Sequence, residues 1–405
     1  MHHTICRVLP GAVLAIVLAA PVQAAQWITS WAASPLPTAA TPGPGPGPLV
    51  LNNQTVRQVL HLSAGGQRVR IRLTNEYGGK PLKVGAATVS RLNADGSLDT
   101  ASTRVLRFGG DSSALIPAAA PLLSDPVDLP VAALSDLSLS LYFPEDTGPC
   151  TCHQVGSQDG FVSEAGDFTA GAFTPKQVIA SRAFVSGVEV EVRQGKTVVV
   201  LGDSISDGVG SSRNTNRRWP DVLARRLNNR SNANWGVVNH GISGNRVLED
   251  GAGQSALARL DRDVLAVTGA THLVVFEGVN DLGISFGAAG RMKPLNLATS
   301  ARMIAGYRQI IARAHARGIK VIGATIAPYE GASYWSPEGE AQRQAINQWI
   351  RQGGEFDGVL DFDAVLRDPA QPSRMADGLH MGDHLHGSDA GYEKLGQSIN
   401  LALFR

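Results

Sequence analysis

Four short stretches hold the residue types that cleavage of an ester needs. Gly202-Asp203-Ser204-Ile205 carries a hydroxyl nucleophile. Asn239-His240-Gly241-Ile242-Ser243-Gly244-Asn245 and Glu277-Gly278-Val279-Asn280-Asp281 carry glycines and amides. Asp383-His384-Leu385-His386 carries imidazoles beside a carboxylate. Acyl transfer through a covalent intermediate takes a nucleophile, a base, a group that orients the base, and donors for an oxyanion. The four stretches supply one of each.

These residues can act together only if the elements between them bring them to one edge. Residues 198–201, 237–239, 273–276, 321–324 and 359–362 read as continuous apolar strands. Residues 220–227, 299–316 and 340–352 have helical periodicity, with Ile346, Trp349 and Ile350 on one face of the last. Strand–helix alternation implies a parallel sheet covered on both faces. Ligands of such sheets bind outside the carboxyl ends of the strands. Ser204 stands at that edge, and Gly202 lets the backbone turn tightly there.

In these residues the chain resembles the GDSL family, also called SGNH hydrolases. Ser204, Gly244, Asn280 and His386 match the four family letters, and Gly202-Asp203-Ser204-Ile205 matches the first block with Ile in place of Leu. Gly278-Val279-Asn280-Asp281 matches the third block. Asp383 and His386 match the final Asp-x-x-His, followed by Asp389-Ala390-Gly391-Tyr392. Gly387 departs from the pattern, where Pro commonly follows the His. The resemblance spans about residues 197–404. Trp219-Pro220-Asp221, Ser336-Pro337-Glu338-Gly339-Glu340 and Phe356-Asp357-Gly358-Val359 extend it to a two-domain arylesterase or acylhydrolase-like subgroup with a β-rich N-terminal domain.

The resemblance implies an α/β fold: an SGNH, flavodoxin-like three-layer α/β/α sandwich with a parallel sheet, preceded by an N-terminal β-sandwich domain. It implies Ser204 as nucleophile, His386 as its base and Asp383 as the group holding the imidazole. The backbone amides of Ser204 and Gly244, with the Asn280 side chain, form the implied oxyanion hole. The chemistry of the residues agrees. Gly244 permits close backbone approach, Asn280 donates without titrating, and residues three apart can share one side of a helical turn.

Three rival patterns are present. Gly283-Ile284-Ser285-Phe286-Gly287 has the G-x-S-x-G form, but that motif needs a strand ending at the Ser, and here the strand ends at Phe276. Asp377-Gly378-Leu379-His380 is a second Asp-x-x-His without the downstream Asp-Ala-Gly-Tyr at the family distance. Asp377, His380, Asp383, His384, His386 and Asp389 could be metal ligands, but a metal would compete for the base that Ser204 needs. Neither metal nor cofactor is expected. His240 reads as a packed loop residue, and Arg217 and Arg218 as surface charges.

The rest of the chain bounds the setting. Of 405 residues 43% are hydrophobic, enough for two domains, and 36 Lys+Arg balance 35 Asp+Glu. That balance gives no electrostatic reason to expect nucleic acid or an anionic membrane as partner. Residues 1–25, with Arg7 before an apolar run over 8–20 and Val22-Gln23-Ala24, read as an export signal, with a periplasmic or secreted product and no stable membrane insertion. Cys150 and Cys152 would then meet an oxidising compartment; a disulfide between them would be strained, and a loop feature without chemistry is expected. The run from 35 to 48, with its Gly-Pro alternation, is an exposed loop.

From Thr55 to Val192 the pattern has period two: Val69, Ile71 and Leu73 alternate with Arg68, Arg70 and Arg72, which read as a solvated face. Residues 26–194 therefore form the β-sandwich and 195–405 the catalytic domain. Only residues 193–196 join them, too few for a flexible tether, so the interface should be packed, with the Cys150–His153 loop a candidate for reaching the cleft. The expected substrates are short acyl or aryl esters, with acetyl groups on polysaccharide implied by family analogy. The alternatives are a long-chain lipase and a non-catalytic carbohydrate-binding protein on a hydrolase scaffold.

Overall fold

Alternating apolar residues in the first half fold into two antiparallel sheets around one core. The structure, a computed structural model, describes residues 1–2, 25–38, 48–229, 234–287 and 297–405. Residues 3–24 of the expected export signal at 1–25, and residues 39–47 of the expected loop at 35–48, thus lie outside the described residues. The strands that matter are β1 (Gln26–Ala32), β2 (Gln54–Leu62), β3 (Gly66–Thr74), β4 (Ala86–Arg91), β5 (Val127–Val131), β6 (Ser135–Phe143), β7 (Thr151–His153), β8 (Gly160–Ala165) and β9 (Val185–Val192). One sheet runs β1-β9-β3-β5, and the other contains β8-β2-β6-β4. Val69, Ile71, Leu73, Leu137, Leu139, Leu141, Val188 and Val190 are fully buried between them.

The arginines of β3 are not simply solvated. Arg70 pairs with buried Glu189 at 2.5 Å and lies over the Trp27 ring, and Arg72 pairs with Glu76 at 3.1 Å. Carboxylates on the neighbouring strand and turn convert that face into a half-covered ion ladder. Cys150 and Cys152 are joined by a disulfide. The segment after Cys150 is strand β7, paired on one side with Arg182–Ala183 and on the other with Leu36–Pro37.

The second half forms a five-stranded parallel sheet of β10 (Lys196–Gly202), β11 (Trp235–Gly241), β12 (Ala270–Phe276), β13 (Lys320–Ala324) and β14 (Gly358–Leu360), in the order β11-β10-β12-β13-β14. That order reverses direction at β10, which opens a crevice at the strand ends. The chain also forms α1 (Ser204–Asp207), α2 (Trp219–Asn228), α3 (Val279–Phe286), α4 (Ser300–His315), α5 (Pro337–Gln352), α6 (Phe362–Leu366) and α7 (Asp389–Ser398). With right-handed crossovers the helices cover both faces, giving the three-layer α/β/α sandwich. The fifth strand stops earlier than its apolar run, because the Asp361 side chain caps α6 by accepting from the Ala364 amide at 3.2 Å. Arg218 is not a surface charge: it folds back on Asp221 at 2.9 Å at the start of α2, while Arg217 is exposed and pairs with Asp389.

The two domains meet along β1, which belongs to the β-sandwich by its pairing with β9 but also lies against β11. Thr29 donates its amide to Thr268 O at 3.0 Å, and a Cβ on Gly236 of β11 would overlap the Thr29 carbonyl. Asn228 and Val237 add hydrogen bonds to Ser63. Among the described residues no helix is long and apolar enough to cross a membrane.

Candidate active site

The apolar run of β10 ends at Gly202, and a single helical turn begins. Asp203 caps that turn by accepting from the Ile205 amide at 2.9 Å, and Gly208, in the left-handed region at φ 100°, closes it. Gly202 has no room for a side chain, since a Cβ would lie 2.7 Å from Phe276 O. The effect is to set Ser204 at the carboxyl edge of the sheet.

His386 Nε2 lies 2.8 Å from Ser204 Oγ, and His386 Nδ1 lies 2.6 Å from Asp383 Oδ2. A carboxylate only accepts, so Nδ1 donates to Asp383 and Nε2 is left to accept the Ser204 proton. Asp383 and His386 do not share a helix, as their spacing suggested. Their segment is a bend, with His384 at φ 59°, in which Asp383 Oδ1 accepts the Leu385 and His386 amides at 3.0 Å. Burial raises the Asp383 pKa, but these hydrogen bonds outweigh it and hold the group below its ordinary value.

Gly244 sits at φ 79° in a tight loop after β11, a conformation that favours glycine. Asn280 is the second residue of α3. Its Nδ2 donates to Asn245 O at 2.9 Å, and its Oδ1 accepts the Tyr334 hydroxyl at 3.2 Å. One of the two amide hydrogens is thereby committed to the loop, and the other has no partner among the described residues.

Two groups that no motif announced hold this arrangement. Arg259 is completely buried. It donates to Gly202 O and His240 O at 3.1 and 2.6 Å, to Asn245 Oδ1 at 3.0 Å, and pairs with Asp263 and Glu277. It thus ties the ends of three neighbouring strands to the Gly244 loop. Asp207 accepts the Ser243 amide and hydroxyl at 3.0 and 2.7 Å and meets His153 Nε2 at 2.8 Å. Asp263 is only four residues from Arg259, but the contacts to the strand ends, to Ser243 and to His153 have no local sequence signal, because those partners come from remote segments. Beneath the site, burial raises Asp203 and Asp281 to about 7 and lifts Glu277 well above the usual carboxylate range.

The rival patterns have other work. Ser285 lies within α3, where its hydroxyl accepts from the Ala298 amide at 2.9 Å. Gly283 and Gly287 around it make room for Tyr334, whose ring or carbonyl a Cβ at either would strike. His380 Nδ1 accepts the Gly382 and His384 amides, and Asp377 is 3.9 Å away and exposed. Among the described residues no three His, Cys, Asp or Glu side chains are grouped to hold a metal ion. His240 is a packed residue that meets Ser34 Oγ at 3.0 Å. The departure at Gly387 has a steric reason: a Cβ there would lie 2.8 Å from the Tyr392 ring.

Residues 200–394 match the GDSL-like Lipase/Acylhydrolase family. Among solved structures, an acetylxylan esterase from Geobacillus stearothermophilus is 21% identical over 52% of this chain and 94% of its own, with a TM-score of 0.41. A GDSL-like lipase from Bacteroides thetaiotaomicron VPI-5482 is 19% identical over 53% of this chain and 90% of its own, with a TM-score of 0.40. No curated protein matches the chain. Residues 200–394 thus form a GDSL-like lipase/acylhydrolase domain, with a β-rich region before it, and the protein is a carboxylic ester hydrolase.

Proposed function

We propose that Ser204 attacks the ester carbonyl while His386 Nε2 takes its proton, with Asp383 holding the imidazole and stabilising its charge. The tetrahedral oxyanion is met by the Ser204 and Gly244 amides and by the free Asn280 amide hydrogen. His386 then protonates the departing alcohol, leaving an acyl group on Ser204. Water, deprotonated by the same imidazole, attacks the acyl-enzyme and releases the acid. The observation that carries this reading is the unbroken chain of contacts, 2.8 Å from Ser204 to His386 and 2.6 Å on to Asp383.

The substrate is a short acyl or aryl ester. Ser204 and Asn280 are only 5% and 8% exposed, which favours a small acyl group at the nucleophile. The protein is exported to the periplasm or beyond. Arg7 and the apolar run after it support this, as does the Cys150–Cys152 disulfide, a bond kept mainly outside the cytosol.

The test is turnover of p-nitrophenyl esters from acetate to palmitate, with acetylated xylan and pectin alongside. Activity should peak at acetate to butyrate and vanish in Ser204→Ala, while Ser285→Ala keeps most of it. A maximum at palmitate would make the protein a long-chain lipase. Undiminished activity in Ser204→Ala would reject the serine mechanism.

A further inference from the structure

The β domain places one side chain against the nucleophile turn. His153, last residue of β7, is buried. Its Nδ1 lies 3.0 Å from Ser34 O and its Nε2 2.8 Å from Asp207 Oδ1. Both partners are acceptors, a placement that suits donation by both ring nitrogens, as in an imidazolium. Burial alone would disfavour that charge, but Asp207 outweighs it and the His153 pKa is raised.

Asp207 in turn touches both halves of the proposed site. It is the last residue of α1, three positions after Ser204, and that turn has only four residues. Its other oxygen takes both the amide and the hydroxyl of Ser243, the residue before Gly244. The carboxylate therefore staples the nucleophile turn to the oxyanion loop, and His153 holds the staple from the other domain. The strand carrying His153 is itself fixed by pairing on both sides and by the adjacent disulfide.

We propose that His153 is a positioning residue: through Asp207 it sets the Gly244 amide relative to Ser204, so that the β domain completes the catalytic geometry. This rests on the assignment of Ser204 and Gly244 above. A shift of an oxyanion donor by a fraction of an ångström acts on the transition state more than on substrate binding.

The experiment compares His153→Phe, His153→Gln, Ser243→Ala and the His153→Gln/Ser243→Ala double variant in the full chain, reading kcat, KM and Tm with p-nitrophenyl acetate. His153→Phe should lower kcat by about 10- to 100-fold with KM changed less than about threefold. His153→Gln keeps one donor for Asp207 and should recover part of the loss. The double variant should lose less than the product of the two single losses, because both act through Asp207. A folded His153→Phe with kcat within about twofold of wild type, whatever its Tm, overturns the proposal. If His153→Phe does not fold, unchanged kcat in both His153→Gln and Ser243→Ala overturns it as well. Ser204→Ala is the control: if it stays active, the proposal falls together with the serine mechanism, whereas an inert Ser204→Ala beside fully active His153 variants rejects the proposal alone.

Discussion

Asp383 fixes His386 through three contacts from one carboxylate: two backbone amides and the ring nitrogen. The imidazole is therefore oriented by a local turn and needs no helix. His386→Ala and Asp383→Asn should each cut kcat by roughly 10³-fold or more, while His380→Ala, whose ring supports only loop amides, should cost far less. Equal losses at His380 and His386 in the p-nitrophenyl acetate assay would assign the base wrongly. With Asn280 in the proposed role of oxyanion donor, Asn280→Ala should lower kcat by about 10²- to 10³-fold with little change in KM. At this scale the candidate site was largely legible. Ser204, Gly244, Asn280, Asp383 and His386 each lie in a stretch of a few residues whose spacing is itself the signal. The Cys150–His153 loop was readable as a candidate for reaching the cleft, but the parts played by Arg259, Asp207 and His153 were not, because Gly202, Ser243 and Asp207, the groups they respectively hold, are remote from them in sequence.

Among the elements, the residues of the wider resemblance turn out to be caps and packing contacts. Ser336 caps α5 by accepting from the Gly339 amide, Pro337 opens that helix, and Asp357 accepts from the Val321 amide at 2.7 Å. Gly391 lets α7 approach the Leu379 carbonyl, which a Cβ would overlap. Five parallel strands could be read from their continuous apolar runs, and three helices from their period. The helix holding Asn280 and the one after His386 could not, since glycines and short lengths blur the period. The end of β11 also carries a pH dependence. Burial lowers His240 from its ordinary 6.5 to about 4. Below pH 6.5 the unfolded chain takes a proton that the folded one refuses, so this group's contribution is present above that pH and lost as pH falls towards 4. The loss amounts to roughly 3 kcal/mol. Chemical denaturation of wild type and His240→Asn should show the wild type losing stability faster from pH 6.5 to 4, since all other groups are common to both. Parallel slopes would mean that His240 is charged in the fold.

For the whole molecule, the short linker between the halves implied a packed interface, and the structure has one. Thr29 is bonded to Thr268, Ser34 to Asp263 at 2.9 Å, and Tyr77 to Gln254 at 3.1 Å. Residues 195–405 expressed alone should therefore melt lower and turn over p-nitrophenyl acetate far more slowly than the full chain. A fragment equal to the full chain in both would make the β domain an independent module. That the interface exists was readable from the length of the linker; which residues form it was not, because β1 alternates like any sandwich strand.

The double allegiance of β1 also bears on the order in which the chain can fold. Its first residue pairs with Val192, and Thr29 finds its partner Thr268 across 239 residues. Chains are made from the amino terminus, and contacts this distant in sequence are slow to form. A nascent chain thus holds its first strand without its strand partner β9 until nearly half of the molecule exists, and without Thr268 until about two thirds of it does. The pairing of this amino-terminal strand is therefore completed late, not at the start of synthesis.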